Sequence, residues 1–159
     1  MGWKLSIEGL VRVVDKKTRT GPTVIPGIGA AAVYAADDAF GTLFSVDVPL
    51  SGTIQVAVFI DKDDEGIETD LVLFNKEITA TADNAAFNPS DADMENFIGT
   101  ITFATFKNFG SNQGSTAAAL GLDYVAPERK IFIQAVTRGA PNIAAGAAPM
   151  VSFVIRSDE

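Results

Sequence analysis

Apolar side chains recur at every second position in one segment of this chain after another, and that period restricts those segments to strands. Trp3, Leu5 and Ile7 alternate with Lys4, Ser6 and Glu8, and after Gly9 the pattern continues with Val11 and Val13 against Arg12. Phe44, Val46 and Val48 alternate with Ser45 and Asp47; Ile54, Val56, Val58 and Ile60 alternate with Thr53, Gln55 and Ala57. Ile101 and Phe103, Ile131 and Ile133, and Val151, Phe153 and Ile155 repeat the motif. Successive side chains of a strand point to opposite faces, so period two marks a half-buried strand. Residues 71–74 form a continuous apolar run, and residues 77–81 are a weaker strand candidate. No stretch sustains the helical period, and the Ala-rich pieces at 30–36 and 117–122 allow a short turn of helix at most. Helix is therefore expected below about 15%, against roughly 30–35% in ordinary globular chains. Val56, Val58, Phe103, Ile133 and Phe153 are predicted core residues.

The joints agree with a β architecture. Pro49-Leu50-Ser51-Gly52 reads as a tight connection, residues 61–66 as a polar turn, and residues 107–114 and 137–149 as loops rich in Gly, Asn and Ala. About eight short strands at this spacing predict an all-β fold, an antiparallel β-sandwich or jelly roll. The chain has 159 residues, no internal repeat and no long linker, so 1–159 is expected to be one domain. Residues 15–32 stand apart as an extended arm or long loop. There Lys16-Lys17-Thr18-Arg19-Thr20-Gly21-Pro22 is followed by Pro26-Gly27-Ile28-Gly29. Connections of that length are usually functional or disordered.

The chain contains no Cys and no His. That removes disulfides, zinc sites of the Cys/His type, thiol nucleophiles and every His-based triad. Met1-Gly2-Trp3-Lys4 leads into the alternating segment, not into an apolar h-region, so no signal peptide is expected. The most apolar uncharged stretch, residues 21–36, holds two prolines and three glycines and is too short to cross a bilayer. A membrane partner is not expected. The net charge of −8 is segregated: residues 1–20 carry a net +3 and residues 37–95 a net −12. Nucleic acid is a poor partner for such a chain, because phosphate binding needs a basic surface. The acidic middle serves solubility or meets a basic surface on a neighbouring copy.

Candidate sites are few. Asp61-Lys62-Asp63-Asp64-Glu65-Gly66 resembles the front of a calcium loop, with Asp61, Asp63 and Glu65 at positions one, three and five and Gly at six. Position twelve is Val72 where a bidentate Glu is required, so these three are weak metal candidates and a solvated acidic hairpin turn is the expectation. Gly27-Ile28-Gly29 lacks the third glycine of a phosphate loop and reads as turn chemistry. Ser111 and Ser115 have no Gly-x-Ser-x-Gly elbow and no base. Asp91, Asp93 and Glu95 would lie on one side of an extended segment, a poor arrangement for a glycosidase pair. Eleven Phe against one Trp and two Tyr favour core filling over sugar stacking, for which only Trp3, Tyr34 and Tyr124 are well suited. An enzyme is not expected, and neither is a cofactor.

Two segments carry a resemblance. Lys130-Ile131-Phe132-Ile133-Gln134-Ala135-Val136-Thr137-Arg138-Gly139-Ala140-Pro141, a small-residue loop and a last strand over residues 150–155 form one. Pro49-Leu50-Ser51-Gly52 followed by Ile54-Gln55-Val56-Ala57-Val58-Phe59 forms the other. Together they resemble small virion structural proteins of tailed bacteriophages, single β-domains that decorate or cement capsids. The resemblance covers about half the chain and is one of strands and turns. It implies a virion-surface location, the major capsid protein and further copies of the chain as partners, and a homo-oligomer, often a trimer about a local symmetry axis.

Two other functions compete with capsid decoration. A carbohydrate- or receptor-binding β-module would need an exposed aromatic platform or a working cation site. A pilus or surface-layer subunit would need an unpaired sheet edge and an export signal. For any assembly role the arm at residues 15–29 is the expected contact with another subunit. Lys16, Lys17 and Arg19 would meet an acidic patch there, and Val24, Ile25 and Ile28 an apolar groove. Pro22 and Pro26 obstruct central-strand pairing. Ordering such an arm costs roughly 1–2 kcal/mol per residue, which contacts must offset.

Overall fold

The structure, a computed structural model, describes residues 16–29 and 33–159. The alternating segment from Trp3 to Val13 lies outside the described residues, as do Asp15 and residues 30–32 of the expected arm.

The described elements are β1 (Lys16–Arg19), β2 (Thr23–Val24), β3 (Phe44–Asp47), β4 (Ser51–Asp61), β5 (Thr69–Phe74), the helical turn α1 (Asp91–Met94), β6 (Phe97–Phe103), β7 (Lys107–Asn108), β8 (Gln113–Val125), β9 (Lys130–Thr137) and β10 (Met150–Ser157). They form two sheets. A six-stranded sheet runs β1-β10-β4-β8-β7, with β2 also on β10, and a four-stranded sheet runs β3-β9-β5-β6. Every pairing is antiparallel. The two sheets pack face to face, which is the β-sandwich that the alternation implies.

Between the sheets lies the main core. Ile54, Phe59, Phe153 and Ile155 come from one sheet, and Leu71, Leu73, Ile101, Phe103, Ile131 and Ile133 from the other. A second cluster sits on the far side of the four-stranded sheet, where Val72, Phe74, Phe132 and Val136 are covered by Ile78, Leu43 and Phe87. Strand β5 is thus buried on both faces, which explains why residues 71–74 are uninterruptedly apolar. Residues 77–81 are not a strand; they belong to the cover, with Ile78 as its anchor.

The link from β4 to β5 crosses between the sheets, so residues 61–66 do not make the expected hairpin turn. Residues 49–50 make a similar crossing from β3 to β4. Residues 117–122 are strand, not helix, and among the described residues the one α-helical turn forms at Asp91–Met94 instead. Ser90 starts that turn with a reciprocal capping box to Asp93, so Asp91, Asp93 and Glu95 do not lie along an extended segment.

Phe103, Ile133 and Phe153 are core residues as expected, but Val56 and Val58 are not. Ile54, Ala57 and Phe59 face inward in β4. Opposite β10, two steps along β4 (Ile54 to Val56) match one along β10 (Ile155 to Val154), leaving Gln55 as a bulge. Strand β8 bulges alongside, where Ala119 and Gly121 take left-handed φ values of 56° and 57°. One extra residue reverses the parity of everything after it. The preference is energetic: Phe59 buries a ring against Phe103 and Phe106, with centroids 5.3 and 5.8 Å away, where Val58 would offer far less apolar area.

Candidate subunit-contact surface

The acidic turn is built inward. Asp61 is 3% exposed; its Oδ1 accepts from the Asp63 N–H at 2.9 Å and its Oδ2 from the Gly66 N–H at 2.8 Å. The side chain of Gln113 donates to Asp64 Oδ1 at 2.8 Å and to the Asp64 carbonyl at 3.0 Å. Asp63 accepts from the Ala144 N–H, which ties the turn to the link between β9 and β10. Asp61, Asp63 and Glu65 therefore do not converge on one point, and Asp61 is neither solvated nor a spare ligand. Among the described residues no group of three acidic, His or Cys side chains could hold a metal ion. The cavity under this turn, lined by Phe40, Phe59, Glu65, Phe106 and Ile143, measures about 10 Å³, the room of one water.

Two other acidic clusters are structural. Asp83 accepts from the Tyr34 hydroxyl at 2.8 Å and from the N–H groups of Gly41 and Gly29 at 2.7 and 2.9 Å. That carboxylate holds the end of the 16–29 segment in place. Asp70 accepts from Thr102 Oγ1 at 2.5 Å and from Arg138 Nε at 2.7 Å, and Arg138 also pairs with Asp37. On α1, the Ser90 hydroxyl, and then the Thr79 N–H, hold the Asp93 carboxyl below the usual carboxylate range. That is opposite to what a general acid requires.

The arm folds onto its own domain. Residues 16–19 pair with residues 154–157 of β10, and Thr23 and Val24 with Val151 and Met150. This corrects the expectation that the segment does not fold fully onto its own domain, for residues 16–24. The reason is the backbone: β10 presents an otherwise unpaired edge whose N–H and C=O groups need partners. Pro22 falls in the break between β1 and β2, and Pro26 after β2, so neither removes a ladder donor. Across the break, the Thr20 N–H donates to the Phe153 carbonyl and the Phe153 N–H to Thr20 Oγ1, both at 2.9 Å. Ile25 is wholly buried in the main core, which leaves it no surface for a neighbour, and Ile28 is half-buried against that core. Lys16, Lys17, Arg19 and Val24 stay exposed.

A different surface emerges from the bulge. Past Gln55, the outward side of β4 carries Val56, Val58 and Ile60, flanked by Val154 and Met150 of β10. These five half-buried aliphatic side chains belong to neither cluster packed among the described residues. Thr116 and Ala118 of β8 extend the same face, and Val24, 44% exposed, closes it on β2. Alternation assigned Val56 and Val58 to the core, so sequence reasoning missed this surface. The small-residue run before Gly121 was the available signal, and it does not specify a bulge.

Basic side chains rim this face. Register places Lys17 beside Arg156, Arg19 beside Val154, and Lys107 beside Gly114, all on the outer side. Asp123 and Asp158 line one hollow with Arg156, and Asp123 accepts from Thr53 Oγ1 at 2.6 Å. Elsewhere, Tyr34 and Tyr124 are buried, which takes from a carbohydrate site two of its three best stacking residues, while Trp3 lies outside the described residues. No helix among the described residues is long and apolar enough to cross a membrane. No protein-family model, curated protein or solved structure matches this chain.

Proposed function

We propose that this chain is a structural subunit of a virion, a capsid decoration protein that works by contact with neighbouring subunits, the major capsid protein and copies of itself. The observation that carries the contact role is the outer face of the six-stranded sheet, where Val56, Val58, Ile60, Met150 and Val154 join neither core. Contiguous apolar surface rimmed by polar groups characterises protein-binding sites. The likeness of residues 49–59 and 130–155 to small phage virion proteins supports the placement. The mechanism is mechanical: many modest contacts, repeated over a shell, add up through effective concentration.

The test is copy number. In virus particles purified from the source of this chain, quantitative mass spectrometry should find it in a fixed ratio to the major capsid protein. Trace amounts, or complete loss on washing in moderate salt, would refute the proposal.

A further inference from the structure

The apolar face has a charge problem that restricts what can cover it. Lys17, Arg19, Arg156 and Lys107 surround it, and among the described residues no carboxylate forms a salt bridge with any of them. Two such faces stacked on each other would oppose cation to cation, which disfavours a symmetric face-to-face dimer. The complementary surface lies on the same chain, on the other side of the sandwich. There the segment from Asp91 to Phe97 exposes Met94 (41%) and Phe97 (42%), and Asp91 and Glu95 are exposed on the same segment. Phe97 pairs with Phe74, outward from the four-stranded sheet, so it does not face the main core. One patch is aliphatic with a basic rim; the other is a Phe–Met pair with acidic flanks.

We propose that copies of this chain associate head to tail, the Met94–Phe97 patch of one copy seated on the Val56–Val58–Val154 face of the next. Asp91 and Glu95 then meet Arg19 and Arg156. Two unlike patches make a heterologous contact, which closes into a ring or continues as an array. This rests on the structural-subunit reading and names the partner of its contact face.

The chain has no cysteine, so introduced thiols report without background. Val58→Cys and Phe97→Cys are prepared separately, checked by circular dichroism and melting, then mixed under mild oxidation. A disulfide-linked pair forming only in the mixture is the expected result. Self-linking of Val58→Cys alone would establish the symmetric packing instead and overturn the proposal. A Val58→Cys thiol that stays unreactive until residues 1–13 are removed would give the face to this chain's own N-terminal segment, and would also overturn it. Sedimentation velocity should show concentration-dependent association, weakened at least tenfold by Arg19→Glu or by Glu95→Lys and restored when the two variants are mixed. A chain that stays monomeric at the highest concentration reached, yet is stoichiometric in particles, refutes this contact and leaves the structural-subunit proposal intact.

Discussion

The hydroxyl of Tyr34 donates to Asp83 Oδ1 at 2.8 Å, and through that carboxylate the N-terminal segment is fastened to the body of the sandwich. The same group accepts from the Gly29 and Gly41 N–H groups. Asp83→Ala removes the one acceptor for three donors. Hydrogen bonds to charged groups contribute roughly 1.5–3 kcal/mol and these three are coupled, so a loss of about 2–4 kcal/mol is expected in urea unfolding. Tyr34→Phe alone should cost about 1 kcal/mol, and the double variant less than the sum of the two. A loss below about 0.5 kcal/mol for Asp83→Ala would show that the carboxylate fastens nothing.

Tyr124 presents the opposite case. Its hydroxyl is buried with no hydrogen-bond partner among the described residues. An unsatisfied buried polar group costs roughly 1–3 kcal/mol, so Tyr124→Phe should be neutral or stabilising, by up to about 1 kcal/mol. Destabilisation by more than that would mean the hydroxyl has a partner.

The two tyrosines also set an alkaline limit. Burial, and then the nearby Asp158 and Glu159, push the Tyr124 phenol up from 10.0 to about 12. Burial and the Asp83 hydrogen bond push Tyr34 higher still. Because the folded-state values are raised, the stabilisation is fully present below pH 10, the unfolded value, and is lost as pH rises through the folded values. Phenolate absorbance near 295 nm should therefore appear together with loss of the β-sheet signal, above pH 10. A reversible titration near 10 in the folded protein would contradict the burial.

Asp61 should matter for stability and not for metal. Both its oxygens accept N–H groups of its own turn, so Asp61→Ala should cost about 1–3 kcal/mol. Millimolar calcium should leave the melting temperature of the unmodified chain unchanged. A rise of many degrees that vanishes in Asp63→Ala would reinstate the cation site.

Ile54 and Val56 are two residues apart and lie on opposite faces. Ile54→Ala opens a core cavity and should cost about 2–5 kcal/mol. In dilute solution Val56→Thr should change stability by less than about 0.5 kcal/mol. Equal, large effects at both positions would place both side chains in the core and remove the bulge.

Much of the architecture was legible from local pattern. Phe44 with Val46, Ile101 with Phe103, and Val151 with Phe153 and Ile155 each announced a strand whose inward side is the side that alternation names. The failures share a cause. Val56 and Val58 were misplaced because period two holds only while the register does, and a single inserted residue reverses it. Residues 16–24 read as a free arm because their side chains are polar and exposed, whereas what holds them is backbone pairing to β10. The Ser90-Asp91-Ala92-Asp93 cap was readable in the sequence, but a lone capping signal is outweighed in a chain that otherwise alternates.

The identity of the alternating strands and the continuous apolar run at residues 71–74 thus follow from the sequence alone, because side-chain period and apolar content act locally. The absence of Cys and His likewise determined from the outset which chemistries were closed to this chain. Tertiary structure alone decided where the bulge falls and which aliphatic face remains outside both cores. It also decided that the acidic turn is an inward-facing knot, and that basic and acidic patches lie on opposite sides of the sandwich. Each of these depends on partners far apart along the chain, such as Phe59 with Phe103, Asp83 with Tyr34 and Lys17 with Arg156. Long-range packing chooses among registers that local alternation leaves nearly equal in energy.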